Sequence, residues 1–310
     1  MKKILSLIAI FGLVLLSVPQ VRAADGVNSA ASTASVTNVV PVSSAVDITL
    51  AAIDLTEATH THVAVTATVT DNNSCEEITG VTAKLFRTNV ADGAACTTNL
   101  NNCYAPVAMT IVDSGNTCTA GGTDLSADYT ASIEVQFYAD ATDTGAYEAT
   151  TWSVHVIPSD AGGAGTAGTD NTAEMNTLTA LNVTANIAYG ELALGEDTDT
   201  DNETTTVSNT GNVDIDSELK SGAATTAMTC DPLGSIPVAN EKFGLTTGDW
   251  DGLTSLVGST THVNAGMDIH KTTDGTPLTD IIYWGLGMPA NGVAGNCSGT
   301  VVFTAVVTPV

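Results

Sequence analysis

The sequence predicts an all-β chain, with a signal peptide followed by two antiparallel β-sandwiches in tandem. Three observations carry that prediction. The first 23 residues have the anatomy of an export signal. The rest alternates apolar and polar residues in short runs separated by turn chemistry. Six cysteines fall four before residue 120 and two after residue 229, as two separately closed halves would place them.

At the N-terminus Lys2 and Lys3 precede an apolar run of 15 residues, Ile4 to Val18, and Val21-Arg22-Ala23 supplies a small-x-small cleavage site. The run is shorter than the roughly 20 apolar residues a spanning helix needs. The expectation is therefore a signal peptide over 1–23, a secreted or cell-surface protein, and no transmembrane segment in the mature chain. After residue 23 five basic residues remain (Lys84, Arg87, Lys220, Lys242, Lys271) against all 34 acidic ones, which leaves a formal charge of −29. Such a surface repels nucleic acid and anionic lipid, and attracts divalent cations or basic partners.

Residues 24–38, rich in Ala, Ser and Asn, read as a flexible leader. The first sandwich is expected over 39–158. Its strands are predicted at Val46 to Leu50, His62 to Val69, Val81 to Phe86, Val107 to Val112, Tyr129 to Phe137 and Trp152 to Ile157, with turns at Asp71-Asn72-Asn73 and Asp113-Ser114-Gly115-Asn116. Residues 159–174, with four glycines in Ser159 to Thr172, read as a linker. The second sandwich is expected over 175–310. Its runs are Leu181 to Tyr189, Glu203 to Ser208, Asn212 to Leu219, Met267 to Lys271, Asp280 to Leu286 and Gly299 to Val307. Trp152 and Trp284 are placed as core residues; Trp250, between Asp249 and Asp251, is a candidate for an exposed loop.

In an exported chain an even cysteine count reads as disulfides. Cys96 and Cys103 are seven apart and pair locally; Cys75 then takes Cys118, and Cys230 takes Cys297. Four cysteines allow three connectivities in the first half, so this pairing there is a preference. Cys230 and Cys297 are the two cysteines of the second half. No CxxC or zinc-finger spacing occurs.

Several segments together resemble a known group. They are Val65-Thr66-Ala67-Thr68-Val69-Thr70-Asp71-Asn72-Asn73-Ser74-Cys75, Ala180-Leu181-Asn182-Val183-Thr184, Asn209-Thr210-Gly211-Asn212-Val213, and the terminal Gly299-Thr300-Val301-Val302-Phe303-Thr304-Ala305. The chain resembles uncharacterised exported proteins with immunoglobulin-like domains, found in small-genome bacteria and some archaea. The resemblance spans most of 40–307. It implies two immunoglobulin-like sandwiches and a surface location, and it carries no catalytic residues.

Candidate sites are few. Asp197, Asp199, Asp201 and Glu203 open like a calcium loop, but the sixth and twelfth positions are Asn202 and Ser208 instead of Gly and Glu, so the run is not an EF-hand. At most weak Ca2+ binding is expected, against the alternative of a solvated acidic turn. Asp71, Glu76, Glu77, Asp140 and Asp143 lie at strand ends where sandwiches can hold calcium, and Asx-turns explain them equally well. His60 and His62 share a strand face, a spacing that binds a transition metal only with further ligands; an exposed strand start is the commoner explanation. His155, His262 and His270 show no partners in the sequence. No GxSxG elbow occurs, and the low aromatic content argues against a sugar-stacking cleft.

The sequence therefore points to a non-enzymatic secreted or cell-surface protein for adhesion or envelope structure, meeting other surface proteins or glycans. Two alternatives stand beside it. One is a self-assembling extracellular filament, in which an apolar strand, Val36 to Val46, adds to a neighbour's sheet. The other is a polysaccharide-binding or hydrolysing module.

Overall fold

A computed structural model describes residues 30–112, 117–184 and 186–308. The predicted signal peptide and the turn at 113–116 lie outside these residues. The described chain is all-β, with no α-helix and several antiparallel sheets. From Asn38 onward it forms one compact unit, in which two halves have separate hydrophobic cores.

The first half holds ten strands: β1 (Val42–Ile48), β2 (Ala52–Ile53), β3 (His60–Thr70), β4 (Gly80–Arg87), β5 (Val107–Ala108), β6 (Thr110–Ile111), β7 (Ser126–Gln136), β8 (Trp152–Asp160), β9 (Gly163–Ala164) and β10 (Gly168–Met175). One sheet has the order β1-β3-β7-β6. The other runs β2-β10-β8-β4-β5, with β9 on β8. β3 and β7 are antiparallel over eleven residue pairs, from His60↔Gln136 to Thr70↔Ser126. Their alternation puts Val63, Val65, Val69, Ala131, Ile133 and Val135 on the inner face, where they meet Val81, Leu85, Trp152, Val154 and Val156 of the second sheet. Each large side chain so buried contributes about 1.5–3 kcal/mol. The predicted strand at 107–112 changes sheets partway: β5 pairs with β4, Met109 is buried, and β6 pairs with β7.

Residues 159–174 are not a linker. β8 runs to Asp160, β9 folds back on it, and β10 pairs antiparallel with β8 and parallel with β2. The glycines there serve close approach. A Cβ on Gly165 would collide with the Pro41 carbonyl, and one on Gly168 would lie 2.6 Å from Val46 Cγ2. Composition that reads as flexibility is here packing against β1.

The last part of the apolar segment in the filament expectation, Val42 to Val46, lies in β1, which pairs with β3 from Val42↔Thr70 to Ile48↔Val65 and forms the edge of its sheet. Just upstream, Asn38 Nδ2 donates to Asp160 Oδ2 (2.8 Å) and Val39 N to Asn73 Oδ1 (2.7 Å).

The second half holds eleven strands. They are β11 (Leu181–Val183), β12 (Glu203–Asn209), β13 (Ile215–Ser221), β14 (Thr226–Leu233), β15 (Ser235–Pro237), β16 (Glu241–Gly244), β17 (Thr254–Ser255), β18 (Val263–Asn264), β19 (Thr279–Leu286), β20 (Ala294–Gly299) and β21 (Val301–Val307). A five-stranded sheet, β11-β12-β19-β16-β17, faces a three-stranded one, β18-β13-β21. Val207, Phe243, Ile282 and Trp284 meet Ile215, Leu219 and Phe303 between them. A third sheet, β15-β14-β20, has its own small cluster around Cys230, Ile236, Leu286 and Val293. The predicted strand at Met267 to Lys271 reduces to an isolated bridge, Ile215↔Ile269, with Met267 and Ile269 as buried anchors.

Candidate functional site at the seam between the halves

The turn Asn209-Thr210-Gly211-Asn212-Val213 leaves β12 and meets the first half. Asn209 holds its shape: Oδ1 accepts from Gly211 N, and Nδ2 donates to the Val213 and Ile269 carbonyls. Asn212, 1% exposed, then reaches across. Its Nδ2 donates to the carbonyls of Ala139 (3.1 Å) and Asn176 (3.0 Å), and its Oδ1 accepts from Leu178 N (2.7 Å). Beside it Thr210 Oγ1 donates to Glu57 Oε1 at 2.6 Å.

Under this turn lies a buried charge trio. Asp140 is fully buried. Arg87 Nε, from the end of β4, donates to Asp140 Oδ2 at 2.8 Å, and Lys271 Nζ, from the second half, donates to Oδ1. Lys271 also donates to Asn101 Oδ1 (2.6 Å) and to the Tyr138 carbonyl (3.1 Å). The Arg87 guanidinium lies over the Tyr147 ring, 3.8 Å from its centroid. Burial pushes the Lys271 ammonium below the usual lysine range, and Asp140 works against that shift. Two of the five basic residues after residue 23 thus converge on one carboxylate. Two cations share one carboxylate, so removal of Asp140 would leave both of them buried without a countercharge.

Next to the trio a cavity of about 380 Å³ is lined by Tyr147, Asn212, Asp214, Asp268, His270 and Lys271, among others. His270 Nδ1 and Asp214 Oδ2 are 2.8 Å apart, and Lys271 N donates to Asp214 Oδ1. Hydrogen bonding and charge from Asp214, with the charge of Asp268, raise the His270 pKa above its ordinary value. The described residues that line this cavity include Thr144 and Thr308 but no serine or cysteine.

The sequence-predicted residues fall as follows. The three bridges are Cys75–Cys118, Cys96–Cys103 and Cys230–Cys297, the pairs the spacing suggests. The last two residues face each other across β14 and β20. Asp197, Asp199 and Asp201 form a turn before β12, where Asp197 Oδ1 accepts from Asp199 N (2.7 Å) and Asp201 N donates to the Thr198 carbonyl. Among the described residues, two groups of three His or carboxylate side chains bring donor atoms together, His60–His62–Glu134 and Asp214–Asp268–His270; Asp197, Asp199, Asp201 and Glu203 belong to neither. Of the strand-end acids, Asp71 accepts from Asn73 N in an Asx-turn, Glu76 from Gly121 N and Asp143 from Thr177, while Asp140 is engaged by Arg87 and Lys271.

His262 and His270, without visible partners in the sequence, have them in space: Glu218 at 3.1 Å and Asp214 at 2.8 Å. Their signal was the register of β13 and its flanks, which only the fold supplies. Trp250 is half-buried: its Nε1 donates to the Asn240 carbonyl, and Lys242 Nζ lies 3.8 Å from its ring centroid. A second cavity of about 380 Å³ is bordered by Glu241, whose carboxyl is raised by burial and accepts from Tyr189 Oη at 2.9 Å.

No protein-family profile matches the chain, and comparison with curated proteins finds no match.

Proposed function

We propose that this chain is an exported, non-catalytic surface protein that serves adhesion or envelope structure, as the immunoglobulin-like proteins it resembles are expected to do. The observation that carries the reading is the disulfide set: all six cysteines are paired, and each bridge closes within one half. Structural disulfides of this kind persist in oxidising compartments. The seam adds support. Asn212, Lys271 and Asp140 spend their polar atoms on joining the halves, which suits a rigid spacer that presents loops. No helix among the described residues is long and apolar enough to cross a membrane.

The test is surface labelling of intact cells with an impermeant amine reagent, followed by mass spectrometry of the N-terminus. The reading expects labelled protein that begins at Ala24 or Asp25. Unlabelled protein with an intact Met1 terminus and reduced cysteines would reject it. Binding of the purified protein to a glycan array, with hydrolysis of the bound sugar, would favour the polysaccharide alternative instead.

A further inference from the structure

On the outer face of the first half, β3 and β7 place three metal-binding side chains together. His60 and His62 alternate with buried Val63 and Val65, so both point outward. His62 stands directly opposite Glu134 in the antiparallel register, and His60 opposite Gln136. The sequence showed the two histidines; the third donor comes from a strand about 70 residues away, and register alone brings it in. His60 Nε2 lies 4.0 Å from Glu134 Oε1, and the two imidazole rings are 5.1 Å apart between centroids. One donor atom from each of the three residues lies within 4.8 Å of the others. Two ligands held about 2.1 Å from one ion stand no more than roughly 4.2 Å apart, so small side-chain rotations close the triangle.

We propose that His60, His62 and Glu134 form a three-ligand site for a divalent transition metal of the zinc type. Two imidazoles and one carboxylate favour zinc or copper over calcium and magnesium, which take oxygen ligands. The backbone under the site is a ladder of eleven residue pairs, so the donors rest on a rigid frame. Ser132 Oγ lies 3.3 Å from His62 Nδ1; an Nδ1–H donated to that oxygen fixes the tautomer that leaves Nε2 free to ligate. The strongly negative surface raises the local cation concentration. Three protein donors leave a coordination position for water or for a donor from a partner surface. The second group, Asp214, Asp268 and His270, lacks this character. It has one imidazole, and that ring's Nδ1 is already engaged by Asp214 Oδ2 at 2.8 Å.

The test is titration of the purified full chain with Zn2+ by calorimetry, with Co2+ as a spectroscopic probe. The expected result is one zinc per chain in the micromolar range, undisturbed by excess Ca2+, and visible cobalt bands of nitrogen and oxygen ligation. His62→Ala and Glu134→Gln should each weaken binding by at least the roughly 10- to 100-fold seen on loss of an outer partner of a ligand. His270→Gln should leave it unchanged. All three positions are exposed, so melting of each metal-free variant should match the parent; if His62→Ala melts early, Glu134→Gln alone decides. Failure of the parent to bind zinc in this range overturns the proposal, and so does binding that survives both ligand substitutions or disappears only with His270→Gln.

Discussion

In the first half one cluster of 23 buried hydrophobic residues fills the space between two sheets; in the second, nine fill the main sandwich and four more sit beneath a separate three-stranded sheet. The first half also has an eleven-pair ladder between β3 and β7, whereas β21, an edge strand of the second, is only half-buried along most of its length. Buried apolar area is the main favourable term in folding, so the two halves should differ in intrinsic stability. Both halves also draw on disulfides and share the polar seam, but in the second half the one bridge, Cys230–Cys297, closes a longer loop than either bridge of the first and stands beside a smaller core. A sandwich poor in core residues can still be ordered when its unfolded state is restricted and one end is tied down.

The largest expected effect tests the disulfide. Cys230 and Cys297 are 67 residues apart, Cys96 and Cys103 only seven. Loop closure gives about 4 kcal/mol for the first and about 2.5 kcal/mol for the second in the chain-entropy description. Alanine at Cys230 and Cys297 should therefore expose β14, β15 and β20 to hydrogen exchange while β3 and β7 stay protected. The Cys96 and Cys103 pair, replaced in the same way, should cost less and leave the second half untouched. Equal losses in both halves from either replacement would erase the contrast drawn here.

A smaller effect is expected at Gly168. Because Val46 and the Ser43 carbonyl crowd this position, Gly168→Ala should lower stability by about 2 kcal/mol through overpacking, read as a shift in the urea midpoint. If 159–174 were a free linker, the substitution would be neutral.

The smallest effect concerns pH. The raised His270 pKa means that its ion pair with Asp214 stabilises fully below the unfolded value near 6.5 and that this contribution fades as pH rises through the folded value. His155, lowered by burial and by Lys84, acts with the opposite sign. The difference between parent and His270→Gln isolates the first. Melting temperatures of the two should diverge at acid pH and converge above neutrality; divergence that grows with pH would reverse the assigned sign.

Period-two patterning was enough to locate β3, β4, β7, β8, β12 and β19, because each has one face in a core and alternates along most of its length. It missed β10, β14, β15 and β20. Segments such as Thr226–Leu233 and Ala294–Gly299 carry Asp, Pro, Asn and Gly and bury little, so their pairing rests on backbone hydrogen bonds and on the Cys230–Cys297 crosslink. The cysteine pairing was legible because count and spacing left few choices. The seam was not. Arg87, Asp140 and Lys271 are 53 and 131 residues apart, and nothing local marks Lys271 as buried. Asn212 stood within a turn motif that was recognised by pattern, yet its hydrogen bonds to Ala139, Asn176 and Leu178 belong to the tertiary fold. Glu134 was hidden for the same reason, since register between distant strands has no local trace.

If the buried trio couples the halves, substitution of Asp140, which both cations share, should uncouple their unfolding. Asp140→Asn keeps the size of the side chain but leaves Arg87 and Lys271 without a countercharge, and breaking a buried pair in this way costs about 3 kcal/mol or more. Urea unfolding followed through Trp152 in the first half and Trp284 in the second is the measurement. Coincident transitions are expected in the parent, and in Asp140→Asn a Trp284 transition that moves to lower urea and separates from that of Trp152. Coincident transitions in the variant at the parent's midpoint would show that the trio does not couple the halves.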